Sequence, residues 1–197
     1  MIDREAIRRM HRHAEARRDR HPVVVLADNV DKASNLGSIL RTAEAFRCER
    51  VITNRSEVDA AGAMGAQHWQ PVEWGSDLVT RVTEYRTAGY SIVALEQSEL
   101  ALPLDTFVFA ERTGLIVGAE AFGVSEELTK LADSIVYIPH AGLVKSLNVA
   151  TATGIALYEY SRQHWMRGFS QPGEHLGPAL ESLRLHRRDA VAARARG

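Results

Sequence analysis

The run Val23-Val24-Val25-Leu26-Ala27 restricts what this chain can fold into more than any other segment. It is apolar without alternation and rich in β-branched residues, the pattern of a strand buried on both faces of a parallel sheet. Helix and strand patterns then take turns. A helix is expected over 37–46, a strand over 49–53, a helix over 77–87 closed by Gly89, and a strand over 90–95. Residues 113–117 predict another short strand, and Ser125 is placed to cap a helix beginning at Glu126-Glu127. The last strand is expected over 135–138, stopped by Pro139, with a long helix from about 147 to about 165. Such alternation predicts an α/β class, a mainly parallel sheet flanked by helices.

The 197 residues, 45% hydrophobic and 25% charged, suffice for one well-buried domain with appendages. The expected division is a basic helical extension over 1–20, a domain over 21–168 and a basic extension over 169–197. Ile2, Ala6, Ile7, Met10 and Ala14 recur at helical spacing up to His21-Pro22, Ser170-Gln171-Pro172-Gly173 reads as a linker, and 178–195 reads as a terminal helix. The net charge of −1 conceals an uneven distribution. Residues 1–20 hold seven Arg against four acids, and residues 161–197 hold seven Arg against three, so the two ends are +3 and +4 around a body of −8. Basic ends can hold phosphates, and they can equally be ordinary solvated helices.

No apolar stretch approaches the roughly eighteen residues of a membrane span, and the segment starting Met1-Ile2-Asp3-Arg4-Glu5 has no apolar signal region, so a cytoplasmic protein is expected. Cys48 is the single cysteine, which excludes an intramolecular disulfide, and no Cys/His spacing suits zinc, so no metal is expected.

Three loops with special chemistry fall after expected strands, where ligands sit in parallel sheets. In the first, Asn35 stands at the start of a helix and Arg41 lies nearly two turns later. Asn35 can be an N-cap and Arg41 an ion-pair partner; alternatively Asn35 fixes a loop while Arg41 offers a cation to a phosphate or a developing alkoxide. In the second, Gly118 and Gly123 bracket Glu120 after a buried strand, which suits a plain turn or a close backbone approach to a ligand. Neither a dinucleotide fingerprint nor a P-loop lysine pattern is present. The third runs from His140 to Val149: Ser146 is placed to cap the following helix, Asn148 can be a second cap or a turn residue, and both also offer polar contacts to a ligand at a helix N-terminus. His140 can titrate near neutral pH or serve as a spacer.

Taken together, these segments resemble the SpoU/TrmH-type RNA ribose 2′-O-methyltransferases of the SPOUT class. The first motif is matched by Asn35 and Arg41 with its Arg-Thr-Ala run, the second by Gly118, Glu120 and Gly123, and the third by Ile138-Pro139, Gly142 and Ser146-Leu147-Asn148-Val149. The likeness spans about 21–163. It implies a deep trefoil knot in the C-terminal part of the sheet, a homodimer with active sites near the interface, and S-adenosylmethionine held bent through backbone groups. Carried over by motif position, Leu95, Gly118, Ile138 and Leu147 would form the cofactor pocket, and Arg41, Asn35, Glu120, Ser146 and Asn148 the catalytic set. The family assigns activation of the 2′-hydroxyl to Arg41. Because a guanidinium is almost never deprotonated, the role preferred here is stabilising the incipient alkoxide. Two positions depart from the pattern. Phe46-Arg47 stands where the family commonly has Phe-Gly, and Pro139-His140 where it has Pro-Met.

The short extensions resemble those of the TrmH tRNA methyltransferases that modify a D-loop guanosine. This implies tRNA as partner, with Arg8, Arg9, Arg12, Arg17, Arg18, Arg162 and Arg167 against its phosphates; base identity would need other contacts. Other readings are 2′-O-methylation of another tRNA or rRNA nucleotide, a non-catalytic RNA-binding protein on the same fold, and a nucleotide- or NAD-binding domain.

Overall fold

The computed structural model describes residues 20–56, 61–119 and 121–164. The expected N-terminal helix, the linker and the C-terminal helix lie outside them, as do Glu120, Arg8, Arg9, Arg12, Arg17, Arg18 and Arg167.

Seven strands form one sheet: β1 (His21–Ala27), β2 (Cys48–Thr53), β3 (Val72–Glu73), β4 (Ser91–Leu95), β5 (Leu102–Pro103), β6 (Thr113–Val117) and β7 (Ser134–Tyr137). Their order is β3-β2-β1-β6-β4-β7-β5, and every neighbouring pair is parallel. Four α-helices accompany them among the described residues: α1 (Ala33–Ala45), α2 (Leu78–Thr87), α3 (Glu126–Leu131) and α4 (Val149–His164). None of these helices is long and apolar enough to cross a membrane.

The unalternating apolar run of β1 is explained by two cores. Val23, Val25 and Ala27 join Leu36, Ile39, Leu40 and Ala43 of α1 and Leu157 and Tyr160 of α4. Val24 and Leu26 face the other way, toward Leu78 and Val82 of α2 and Leu128 of α3. Successive side chains of a strand point to opposite faces, so a strand covered by helices on both sides must be apolar at every position.

Element boundaries differ from expectation in a few places. α1 begins at Ala33, four residues before the expected start, because its N-cap position is Lys32, which makes no side-chain capping bond and carries no capping signal. β3 and β5 were not expected; each has only two residues, too short for a periodic pattern. Ser125 does precede α3 but makes no side-chain capping bond. Its backbone N–H is instead taken by the buried carboxylate of Asp28 at 2.9 Å. Arg47, one of the two positions that depart from the motif pattern, has φ +54 just past the end of α1. That left-handed conformation, just past a helix end, is one that glycine adopts without steric cost.

The N-terminal half of α1 rests against the short 3₁₀ turn Ala61–Ala63. A Cβ on Gly37 would lie 2.7 Å from the Ala63 nitrogen and 2.9 Å from that of Gly62, both backbone atoms that cannot swing aside. Gly37→Ala is therefore expected to destabilise the protein by about 1–3 kcal/mol despite alanine's better helix propensity. Thermal and urea unfolding of the variant check this, and equal or greater stability would contradict the packing described.

Candidate active site

Strand register sets the site. Leu95 pairs with both Val117 and Val136, so the carboxyl ends of β4, β6 and β7 stop side by side. At that edge opens a cleft of about 330 Å³. Leu95 and Glu96 enter it from β4, Val117 and Gly118 from β6, Tyr137 and Ile138 from β7, and Ser146 and Leu147 from the segment leading into α4. The four residues assigned to the cofactor by sequence, Leu95, Gly118, Ile138 and Leu147, thus line one cleft, with Ser146 among them. Its walls mix these apolar side chains with the backbone of strand ends, a composition suited to a nucleoside-sized ligand.

One wall is the 118–123 loop, which folds back on itself. The Ala119 N–H donates to the Gly123 carbonyl at 3.1 Å, and the Gly123 N–H to that of Ala119 at 2.8 Å. A Cβ on Gly118 would overlap the backbone of Gly123 and Val124, and Gly123 itself has φ +68. The close approach these glycines permit is that of the loop to itself.

Glu96, which sequence reasoning missed, clamps this wall. One carboxylate oxygen accepts the Val124 N–H at 2.8 Å and the other accepts the Gln97 N–H at 2.8 Å. A Cβ on Gly123 would overlap the same carboxylate. The available signal was positional: an acid one residue beyond a buried strand, at the edge where Gly118 also falls.

Asn35 and Asn148 belong together. The Asn148 side-chain oxygen accepts the N–H groups of Ala150 at 3.0 Å and Thr151 at 3.2 Å, and its Nδ2 donates to the Asn35 side-chain oxygen at 3.0 Å. Asn148, not Ser146, therefore caps α4. Ser146 lies two residues too early, where it is exposed on the cleft. Nor is Asn35 an N-cap: it is the third residue of α1 and 8% exposed. A buried amide needs hydrogen-bond partners, and the bond to Asn148 ties the first turn of α1 to that of α4.

Arg41 lies further along α1, exposed and outside the cleft lining. Among the described residues it makes no ion pair. Arg162 is different. It grips Glu159 with bonds of 2.8 and 2.6 Å, and this contact holds the Glu159 carboxyl below its ordinary pKa. No group of three or more His, Cys, Asp or Glu able to hold a metal occurs among the described residues.

Comparison with known proteins agrees with this layout. The model of the SpoU rRNA Methylase family matches residues 22–158. A tRNA (guanosine(18)-2′-O)-methyltransferase of Aquifex aeolicus is 33% identical over 156 residues, 76% of this chain and 74% of that one. A crystal structure of an A. aeolicus TrmH/SpoU tRNA-modifying enzyme superposes with a TM-score of 0.72 at 31% identity, covering 80% of this chain and 83% of the other. An AdoMet-bound rRNA methyltransferase from Sinorhizobium meliloti gives 0.66 at 30% identity, over 73% of this chain and 59% of that one. Most of the chain, including the sheet edge that builds the cleft, is shared with these relatives, and it belongs to the SpoU rRNA Methylase family of methyltransferases.

Proposed function

We propose that this protein methylates a ribose 2′-hydroxyl in tRNA with S-adenosylmethionine, and that the nucleotide is a D-loop guanosine. The observation that carries the reading is the cleft formed where β4, β6 and β7 end, lined by Leu95, Gly118, Ile138 and Leu147, together with an exposed Arg41 that has no carboxylate partner among the described residues. The Aquifex relative's name supplies the tRNA and the guanosine. Bound S-adenosylmethionine supplies an electrophilic methyl group. The residues present suit it: strand-end backbone and apolar side chains surround a pocket of appropriate size, and Glu96 braces the wall at Gly123-Val124.

The chain's own tasks are alignment and charge stabilisation. A ribose hydroxyl is a weak nucleophile, and a fixed cation beside it favours the alkoxide that develops as it attacks. Arg41 takes that part, because a guanidinium keeps its charge throughout the physiological range and its five donors can hold both a phosphate and the ribose oxygen. Asn35, held by Asn148, orients the start of the helix that carries Arg41. Ser146 stands on the cleft, and Glu120, which lies outside the described residues, completes the set by its motif position. The basic ends serve as the electrostatic grip on tRNA. Arg162 contributes less to that grip, since Glu159 already occupies its guanidinium.

The reading includes the homodimer and the deep trefoil knot. Support for the dimer is the α1–α4 seam. There Phe46 meets Tyr158 edge-on, and Ile155 and Tyr158 stay 38% and 50% exposed, an apolar strip on the helix pair that carries Arg41. Support for the knot is the strand order, in which β6 and β7 each insert between strands laid down earlier.

Two variants test the division of labour. Arg41→Ala is expected to keep its affinity for S-adenosylmethionine by calorimetry, while methyl transfer to unmodified tRNA falls about 10²–10³-fold, the loss typical of removing one charge-stabilising donor. Retained turnover, or wild-type protein that does not bind S-adenosylmethionine, would overturn the assignment. Glu96→Gln replaces one acceptor oxygen with an N–H₂ that confronts a backbone N–H. Its cofactor affinity should drop roughly tenfold, the consequence of one backbone donor of the wall left without its acceptor, with turnover at saturating cofactor little changed. Unaltered affinity would remove Glu96 from the positioning role.

A further inference from the structure

His140 lines the cleft. Its ring bridges two backbone carbonyls. Nδ1 lies 3.0 Å from the Ile138 oxygen and Nε2 lies 3.0 Å from the Val144 oxygen. Carbonyl oxygens only accept, and a neutral imidazole has a single N–H, so the two bonds coexist only when both ring nitrogens carry hydrogen. Ile138 is itself a cleft residue at the end of β7, and Val144 stands two residues before Ser146, the next cleft residue along the chain. The bridge therefore closes the 138–144 segment into the shape that bounds the cofactor site.

We propose that His140, as imidazolium, staples this cofactor-bounding loop, and that affinity for S-adenosylmethionine falls when His140 loses its proton. The proposal rests on the cofactor reading above. On deprotonation one of the two nitrogens presents a lone pair to a carbonyl 3.0 Å away, and that side of the staple opens. His140 is a positioning residue: it shapes the loop, and the loop shapes the cleft.

The direction with pH follows from the bonds. The carbonyls of Ile138 and then Val144 raise the His140 pKa above its ordinary value of 6.5, against a smaller desolvation effect. The staple is fully present below pH 6.5 and is lost as pH rises through the raised value. Other ionisable groups share the surroundings. Glu96 and Tyr137 line the same cleft and Lys145 belongs to the same loop, while Glu120 lies outside the described residues. A His140 variant separates its titration from theirs.

The test is calorimetric titration of the full-length protein with S-adenosylmethionine and, separately, with S-adenosylhomocysteine, between about pH 6 and 8.5, the span bracketing an imidazole. The homocysteine compound lacks the sulfonium charge, so it reports the loop free of repulsion between cofactor and imidazolium. For both ligands the dissociation constant should rise about three- to tenfold across the range, as expected for one net hydrogen bond. His140→Met should bind at every pH with the affinity that the native protein reaches at high pH. Nitrogen-15 spectra of the imidazoles, assigned by difference from this variant, should show the imidazolium of His140 persisting above pH 6.5. Binding that is tight but independent of pH, a pH dependence retained in His140→Met, or a dependence confined to S-adenosylmethionine would each overturn the staple. Failure of both ligands to bind at any pH would overturn the cofactor reading and the staple with it.

Discussion

All seven strands run the same way, and the rest of the molecule depends on that constraint. In a parallel sheet every strand delivers its loop to the same edge, so the chemistry-bearing segments need no further device to meet. Register does the fine placement. With Leu95 level with Val117 on one side and Val136 on the other, three loops begin at the same height. The cleft is the gap that these loops leave. Burial on both faces, which makes β1 apolar at every position, is the other consequence of the same architecture.

Holding the loops in place falls to a few polar contacts. Glu96 joins the end of β4 to the loop after β6, and Asp28 at the end of β1 takes the N–H of Ser125 beyond that loop. Asn148 does two things at once, capping α4 and binding Asn35 of α1. Apart from the cap itself, each contact links segments far apart in sequence, and each uses a side chain whose hydrogen bonds satisfy backbone donors or a buried amide. A rigid site built this way presents its ligand groups without paying to order them at the moment of binding. The 138–144 loop is held differently, by a ring whose two bonds depend on a proton.

Much of the sheet was legible in the residues because long apolar runs and glycine stops are local signals. β1 and β6, buried on both faces, declared themselves through composition alone, and Gly89 closed α2 with the left-handed φ expected of it. The two-residue strands β3 and β5 were not legible, since pairing with a neighbour, not local pattern, makes them strands. The same distinction separates the site residues. Gly118, Ile138 and Leu147 were found by motif position and do share a cleft. Glu96 was missed because its partner N–H at Val124 is 28 residues away, and its place just past the end of β4 marks the position without naming that partner. Ser146 and Asn148 were both open as caps of α4, being equally good capping types, and the geometry gives the cap to Asn148. Arg41 could be named but not located. Its exposure, outside the cleft of its own chain, is a property of how α1 packs on the sheet.

The central claim is that this edge of the sheet transfers a methyl group to a ribose oxygen of tRNA. The most direct measurement is nucleotide-resolved mass spectrometry of unmodified tRNA after incubation with the protein and S-adenosylmethionine. The predicted result is a single added methyl group retained on the sugar after base release, located on a D-loop guanosine and absent when Arg41→Ala replaces the native protein. A methyl group on a base, or tRNA left unmodified under conditions where S-adenosylmethionine binds, would contradict it.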